Sequence, residues 1–193
     1  IDVVEASGLL GRGGAGFPTG IKWNTVLGAG DGEKFVCCNA DEGDSGTFAD
    51  RMLIEGDPFA LIEGMTIAAV AVGASAGFIY IRSEYPDAIA TMTTAIEIAE
   101  LQGWIGSTVL GSHRSFTLEV RSGAGAYICG EETSMLESLE GRRGQIRVKP
   151  PLPALSGLFG RPTVINNVLS FAAVPHIVAD GPTSYSELGV GRS

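Results

Sequence analysis

Cysteine, histidine and positive charge are all scarce in this sequence of 193 residues. Its three cysteines, Cys37, Cys38 and Cys129, cannot make a disulfide framework, nor supply the four thiolates of a zinc or iron–sulfur site. Neighbouring residues of a strand face opposite ways. Cys37 and Cys38 therefore read, with Cys129, as small buried hydrophobes of a reducing compartment, and the protein as cytoplasmic. The two histidines, His113 and His176, stand alone. No G-x-S-x-G elbow, H-E-x-x-H pair or Cys–His signature accompanies them, so acyl transfer and metal-dependent hydrolysis are poorly supported. Lys and Arg number 13 against 22 Asp and Glu, a net charge of −9. That is the wrong sign for a nucleic-acid-binding face. No charged-then-apolar leader opens the chain, which begins Ile1-Asp2-Val3-Val4-Glu5. One uncharged stretch, Gly64 to Ile81, reaches membrane-span length. Gly73, Ser75 and Gly77 interrupt it, and it reads as a buried helix, turn and strand, not embedded in a membrane.

Glycine is the residue in excess: 28 of 193, about twice the usual share of roughly 7%. With no G-X-Y period, it must serve turns or places where backbone approaches something closely. Residues 1–193 read as one domain. The first residues form the end of a helix closing at Ser7-Gly8, and Pro18 introduces a short helix over Ile21 to Leu27. Lys34 to Cys38 is an apolar run of strand length, covered on both faces. Asn39 to Asp57 reads as a loop rich in acids and small residues. Helices open at Pro58 and Pro86, with strands over Gly77 to Arg82 and Phe116 to Val120. A further helix spans Glu131 to Gly141. Residues Arg142 to Val164 are Pro-rich, basic and hardly periodic, and a last helix runs from Asn166 or Asn167 toward Ala179. Strands alternating with long helices predict an α/β fold with a mostly parallel sheet.

Five segments could carry chemistry. Gly11-Arg12-Gly13-Gly14-Ala15-Gly16 satisfies the letter of G-x-G-x-x-G, but no strand precedes it and no Walker ending follows. It is either a tight turn or a backbone cradle for a flat ring or a phosphate. Asn39-Ala40-Asp41-Glu42-Gly43-Asp44 follows a strand, where open parallel sheets bind ligands. The same residues also suit a solvated acidic loop, or calcium, although their spacing departs from the EF-hand loop. Gly123 to Glu132 repeats the scheme of strand, glycine-rich loop and acids at a helix start, where Glu131 and Glu132 would in any case favour the helix dipole. Lys149 is a single cation in a rigid segment, suited to a phosphate or to solvent. Asn166 and Asn167 can cap the helix after them or help its N-terminus hold a phosphate.

In chain order, GRGGAGFPTGIKW (Gly11 to Trp23), NADEGDSGTFADR (Asn39 to Arg51), GAGAYICGEE (Gly123 to Glu132), LEGRRG (Leu139 to Gly144), KPPLP (Lys149 to Pro153) and PTVINNV (Pro162 to Val168) form a set. This set closely resembles the flavoprotein subunit of respiratory NADH:quinone oxidoreductase (complex I). It equally resembles its soluble relatives, the diaphorase subunits of NAD-reducing hydrogenase and NAD-dependent formate dehydrogenase. Asp44 to Met52 and the ending Val190-Gly191-Arg192-Ser193 look most like the formate dehydrogenase beta subunit.

The resemblance implies a modified Rossmann-like parallel sheet with helices on both faces, binding FMN with NAD(H) stacked on it. Gly13, Asn39, Asp41, Tyr127, Gly130, Glu131, Asn166 and Asn167 would surround FMN, with Lys22 near its polar tail. Gly11, Arg12, Gly14, Gly16 and Thr163 complete the expected cofactor-binding set. Phe17, Glu42, Glu132 and Lys149 would touch the nicotinamide dinucleotide. Leu152 and Thr25 stand where relatives carry aromatics. Hydride transfer belongs to the cofactors, so no catalytic side chain is required, and Glu131 and Glu132 are the nearest candidates. Carboxylates at Glu42 and Glu132 would accept ribose hydroxyls and repel a 2′-phosphate, favouring NADH over NADPH. Family subunits continue into a ubiquitin-like domain and a four-cysteine [4Fe–4S] domain, so the chain reads as a truncated flavin domain whose cluster lies outside it. Its expected partners are iron–sulfur subunits, a thioredoxin-like [2Fe–2S] subunit and a catalytic subunit. The alternative is an assembly module that has lost flavin.

Overall fold

The apolar run after Lys34 becomes an interior strand of a parallel sheet in the computed structural model, which describes residues 1–188. The ending Val190 to Ser193 thus lies outside the described residues. Strand β1 (Phe35–Ala40) pairs with β2 (Ala76–Ile81) on one side and β4 (Thr163–Asn167) on the other. With β3 (Thr117–Ser122) beyond β2, the four strands run in the order β3-β2-β1-β4. Cys38 lies opposite Ile79 and Asn166, and Asn39 opposite Tyr80 and Asn167.

Alternation along each strand divides the interior in two. Val36, Cys38, Ala40, Ile79, Ile81 and Val164 join the larger core, while Phe35, Cys37, Tyr80 and Ile165 join a smaller one. Burial raises the pKa of both strand thiols, which keeps them protonated. The larger core is closed by α1 (Asp2–Ala6), α2 (Thr19–Leu27), α4 (Pro58–Val72), α5 (Pro86–Leu101) and α8 (Val168–Asp180), through Val4, Trp23, Met65, Met92 and Phe171. Across the sheet, Met135 and Leu136 of α6 (Glu132–Leu139), with Cys129 and Leu158, close the smaller core. Helices therefore cover both faces, as the resemblance implied. Helix α4 shows how locally its bounds are set: Pro58 occupies its first turn, the Asp57 side chain accepts from Ala60 N at 3.2 Å, and Gly73 stops it at φ +79.

Two expectations need correction. The supposed loop Asn39 to Asp57 contains a helix, α3 (Ala49–Gly56), and the stretch Arg142 to Val164 contains a short helix, α7 (Pro153–Ser156), and the start of β4. Asn166 is accordingly a strand residue, while Asn167 caps α8 by accepting from Leu169 N at 2.9 Å. A final short helix, α9 (Pro182–Ser186), follows. The Pro-rich stretch is pinned by charge: Arg142 and Arg147 both meet the buried Glu137, and Arg147 Nη1 donates to Gly157 O at 2.9 Å.

The first two crossovers step from β1 to β2 and on to β3, while the third returns the chain to the far side of β1. Directions therefore diverge between β1 and β4, and the crevice at their carboxyl ends is the switch point where open α/β sheets bind ligands. Among the described residues no helix is long and apolar enough to cross a membrane.

Candidate functional site

Each loop singled out in the sequence arrives at this crevice. Asn39, near the end of β1, donates from Nδ2 to Gly130 O at 2.8 Å and accepts from Asp41 N at 3.1 Å, tying the third glycine loop to the acidic one. The first glycine loop is closed by Gly11 N to Phe17 O and Thr19 N to Leu9 O, both 2.9 Å, and is tethered to α8 by Arg12 N to Ser170 Oγ at 2.9 Å. A Cβ built on Gly13 would meet only the Asn167 Cβ, at 3.9 Å, and one on Gly14 or Gly16 would meet nothing within 4 Å. The loop is thus an open backbone surface beside the end of β4. Tyr127, 72% exposed, donates its hydroxyl to Asp44 Oδ1 at 2.8 Å. Its ring fills the space a side chain at Gly43 would need.

Polar groups at the crevice are left unmet by the described residues. Asn166 Oδ1 accepts from Trp23 Nε1 at 3.2 Å, yet its Nδ2 is buried without a partner among the described residues, as is Asp41 Oδ2. Burial pushes the Asp41 carboxyl up to about 6, against the pull of the Arg82 guanidinium. An unpaired buried donor and acceptor are costly, and a polar guest offering both kinds of group relieves them. With the open glycine surface, these residues fit a flat heterocycle with polar edges.

A charged cluster stands alongside. Lys149, just before Pro150 and Pro151, places Nζ 3.0 Å from Glu131 Oε1 and 2.7 Å from Glu132 Oε1. Glu131 caps α6, accepting from Thr133 N at 2.8 Å and Ser134 N at 2.9 Å. Burial opposes its charge, but these bonds and Lys149 hold its carboxyl below the ordinary range. Lys22 donates to Ile165 O at 2.6 Å; burial lowers its pKa, with Glu132 opposing and Lys149 assisting. Phe17 and Leu152 are 44% and 47% exposed, apolar surface open to a ligand.

Three expected residues lie differently. The Glu42 carboxylate is turned inward, accepting from Asp50 N at 3.0 Å, Arg51 N at 3.3 Å and the Tyr85 hydroxyl at 3.4 Å. It caps α3, with three of its roughly four acceptor positions taken by the protein itself. Thr163 starts β4, some 10 Å or more from Asn167 at about 3.3 Å per residue. Its hydroxyl is spent on Leu158 N and Arg161 O, both 2.9 Å. The Arg12 guanidinium bonds the Tyr185 hydroxyl at 3.0 Å. One residue escaped sequence reading altogether: Asp50, whose Oδ2 accepts from Asn167 Nδ2 at 2.6 Å. Burial pushes its carboxyl up to about 7, with Glu42 adding to the shift and the Asn167 bond opposing it. No local pattern marks it, because its partner is 117 residues away. Among the described residues no group of three or more His, Cys, Asp or Glu is placed to hold a metal ion.

The family described as Nuo51 FMN-binding domain matches residues 4–176. The F 2 subunit of NADH-quinone oxidoreductase from Rhizobium meliloti (strain 1021) is 53% identical over 193 residues, covering 100% of this chain and 46% of its own length. The HndC subunit of NADP-reducing hydrogenase from Solidesulfovibrio fructosivorans is 48% identical over 193 residues, covering 100% of this chain and 39% of its own. The chain thus spans less than half the length of these relatives. A solved NAD+-reducing [NiFe]-hydrogenase in the H2-reduced state has a TM-score of 0.90 at 44% identity, covering 100% of this chain and 32% of that one. These names are of quinone oxidoreductases and hydrogenases, and the leaning toward formate dehydrogenase rests on Asp44 to Met52 and the chain ending. A match running from Val4 to His176, through every loop that meets at the β1–β4 crevice, makes this chain a member of the Nuo51 FMN-binding domain family.

Proposed function

We propose that the crevice holds FMN and that the chain serves as the NADH-oxidising domain of a larger oxidoreductase. The observation that carries this reading is the coincidence, among the described residues, of an unmet buried donor, Asn166 Nδ2, an unmet buried acceptor, Asp41 Oδ2, and an open glycine surface at the switch point. When bound, FMN supplies the hydride chemistry, exchanging hydride with nicotinamide. The chain's own residues bind and orient. Gly11 to Gly16 let the backbone approach a ring, Asn39, Asn166 and Asn167 offer amides, and Lys22 supplies a cation for the phosphate tail. Tyr127, Gly130 and Glu131 form the opposite wall.

Glu132 and Lys149 are the pair placed for the nicotinamide nucleotide, with Phe17 as an exposed face for stacking. With Glu42 committed to α3, discrimination between NADH and NADPH falls to Glu132: its carboxylate accepts ribose hydroxyls and repels a 2′-phosphate. Its partners in the cytoplasm would be iron–sulfur subunits outside this chain, a thioredoxin-like [2Fe–2S] subunit and a catalytic subunit. All three cysteines are buried, and three cannot hold a four-thiolate cluster.

Titration of the purified chain with FMN tests the reading. Stoichiometric uptake with a flavin spectrum, and NADH-dependent reduction of ferricyanide without an iron signal, are expected. Quinone- or formate-linked turnover is expected only with partner subunits present. A folded chain that takes up no FMN would overturn the assignment in favour of a flavin-free assembly module.

A further inference from the structure

We propose that Asp50 is a positioning residue of the flavin site, fixing the Asn167 side-chain amide beside the glycine cradle; the idea rests on the FMN-binding reading above. A side-chain amide has nearly equal ends, and only its neighbours decide where oxygen and nitrogen lie. At Asn167 they decide it from both sides. Oδ1 accepts the Leu169 N–H at 2.9 Å, and Nδ2 donates to Asp50 Oδ2 at 2.6 Å. A flip would set the NH2 group against a backbone N–H and the oxygen against a carboxylate, losing two bonds and creating two repulsions.

Asp50 is itself held. It is 5% exposed, near the start of α3, and its N–H donates to Glu42 Oε1 at 3.0 Å. Glu42 also takes the Tyr85 hydroxyl at 3.4 Å, so a hydrogen-bonded chain runs from the start of α5 through the α3 cap to the end of β4. Gly13 approaches Asn167 closely enough that a Cβ there would lie 3.9 Å from the Asn167 Cβ. The second Nδ2 proton has no partner among the described residues. The crevice therefore presents a donor at this point, suited to a carbonyl, ring-nitrogen or phosphate-oxygen acceptor on the cofactor, and Asp50 is what keeps it a donor.

The test begins on the ligand-free 193-residue chain. In a 15N spectrum, one Asn167 side-chain amide proton, assigned by its loss in Asn167→Ala, should lie downfield in the wild type. It should keep that shift in Asp50→Asn, whose amide oxygen still accepts, and lose it in Asp50→Leu. An unshifted wild-type amide would overturn the proposal before any substitution. FMN affinity, read by flavin fluorescence, should then weaken about tenfold in Asp50→Leu and by less than about threefold in Asp50→Asn. Adding Asp50→Leu to Asn167→Ala should cost nothing further, because one acts through the other. Asp50→Ala replaces the Leu variant if that chain does not fold. Unchanged affinity in the single variant, or losses that multiply in the double variant, would show that Asp50 does not act through Asn167. A folded wild type that takes no FMN overturns the flavin reading and this proposal with it; normal uptake with multiplying losses overturns this proposal alone.

Discussion

Where α4 crosses α8, a Cβ on Gly64 would lie 2.0 Å from the Phe171 carbonyl oxygen, whereas one on Gly13 would find only the Asn167 Cβ, at 3.9 Å. At the helix crossing, glycine is needed because the protein's own backbone fills the space, and that contact seals the larger core. At the crevice, glycine leaves a space the protein does not fill. The same division runs through the acids. Glu42 closes a helix end from inside, while Glu132 stands half-exposed against Lys149. Residue type alone does not separate structure from function here; what occupies the space around the residue does.

The sharpest way to break this comparison is Gly64→Ala. A backbone carbonyl cannot swing aside, so the helices must part, at a cost of about 3 kcal/mol or more. Thermal melting should fall by about 6 to 12 °C. Melting within about 2 °C of wild type would show that the crossing is looser than its geometry. Gly13→Val is the mirror case: FMN affinity should drop at least about a hundredfold, near 2.7 kcal/mol, while circular dichroism and melting stay as they were. Retained flavin stoichiometry there would remove the cradle from the site.

The acids give a milder contrast. Glu42→Gln should lower stability by about 1 to 2 kcal/mol, as loss of a charged cap does, and leave the NADH to NADPH preference alone. Glu132→Gln should leave melting unchanged and narrow that preference by about fivefold, roughly 1 kcal/mol. Steady-state kinetics with both nucleotides on the two variants decides, and a shifted ratio in Glu42→Gln alone would reverse the assignment.

A last effect is in pH. Asp41 and Asp50 titrate near 6 and 7, above the ordinary 3.8. Between about pH 4 and 7 the folded chain therefore binds protons more tightly than the unfolded one, and their contribution to stability falls as pH rises. Asp50→Asn should flatten the upper part of that slope in melting curves taken across the range. A slope identical to wild type would mean that Asp50 is charged throughout.

Much of this was legible in the sequence, and the failures have a common physical cause. Strands β1 and β2 announce themselves as apolar runs between turn residues, and the helices at Pro58 and Pro86 carry their own start signals. Helix α3 does not, because its N-terminus is capped by Glu42 from outside the helix, and no Ser, Thr, Asp or Asn side chain caps it locally. Strand β4 is five residues long and ends in two asparagines, which read as a helix start because one of them is. Its partner β1 lies more than a hundred residues earlier. The glycine cradle, Asn39, Lys149 and the α6 acids were readable as motifs. Glu42's inward turn, Thr163's place at the wrong end of its strand and Asp50's bond to Asn167 are tertiary facts with no local trace.

The sheet order also bears on when the crevice comes into being. Asn166 and Asn167 arrive beside Asn39 only when Thr163–Asn167 docks against Phe35–Asn39, closing a loop that contains most of the chain. Pairings between segments so far apart are the slow ones, because the entropy of closure is lost before any contact compensates. A partly folded chain with β1, β2 and β3 in place would have two strands' worth of loops and no pocket between them. Any ligand of this crevice therefore recognises the finished sheet alone and, by mass action, draws the chain toward it.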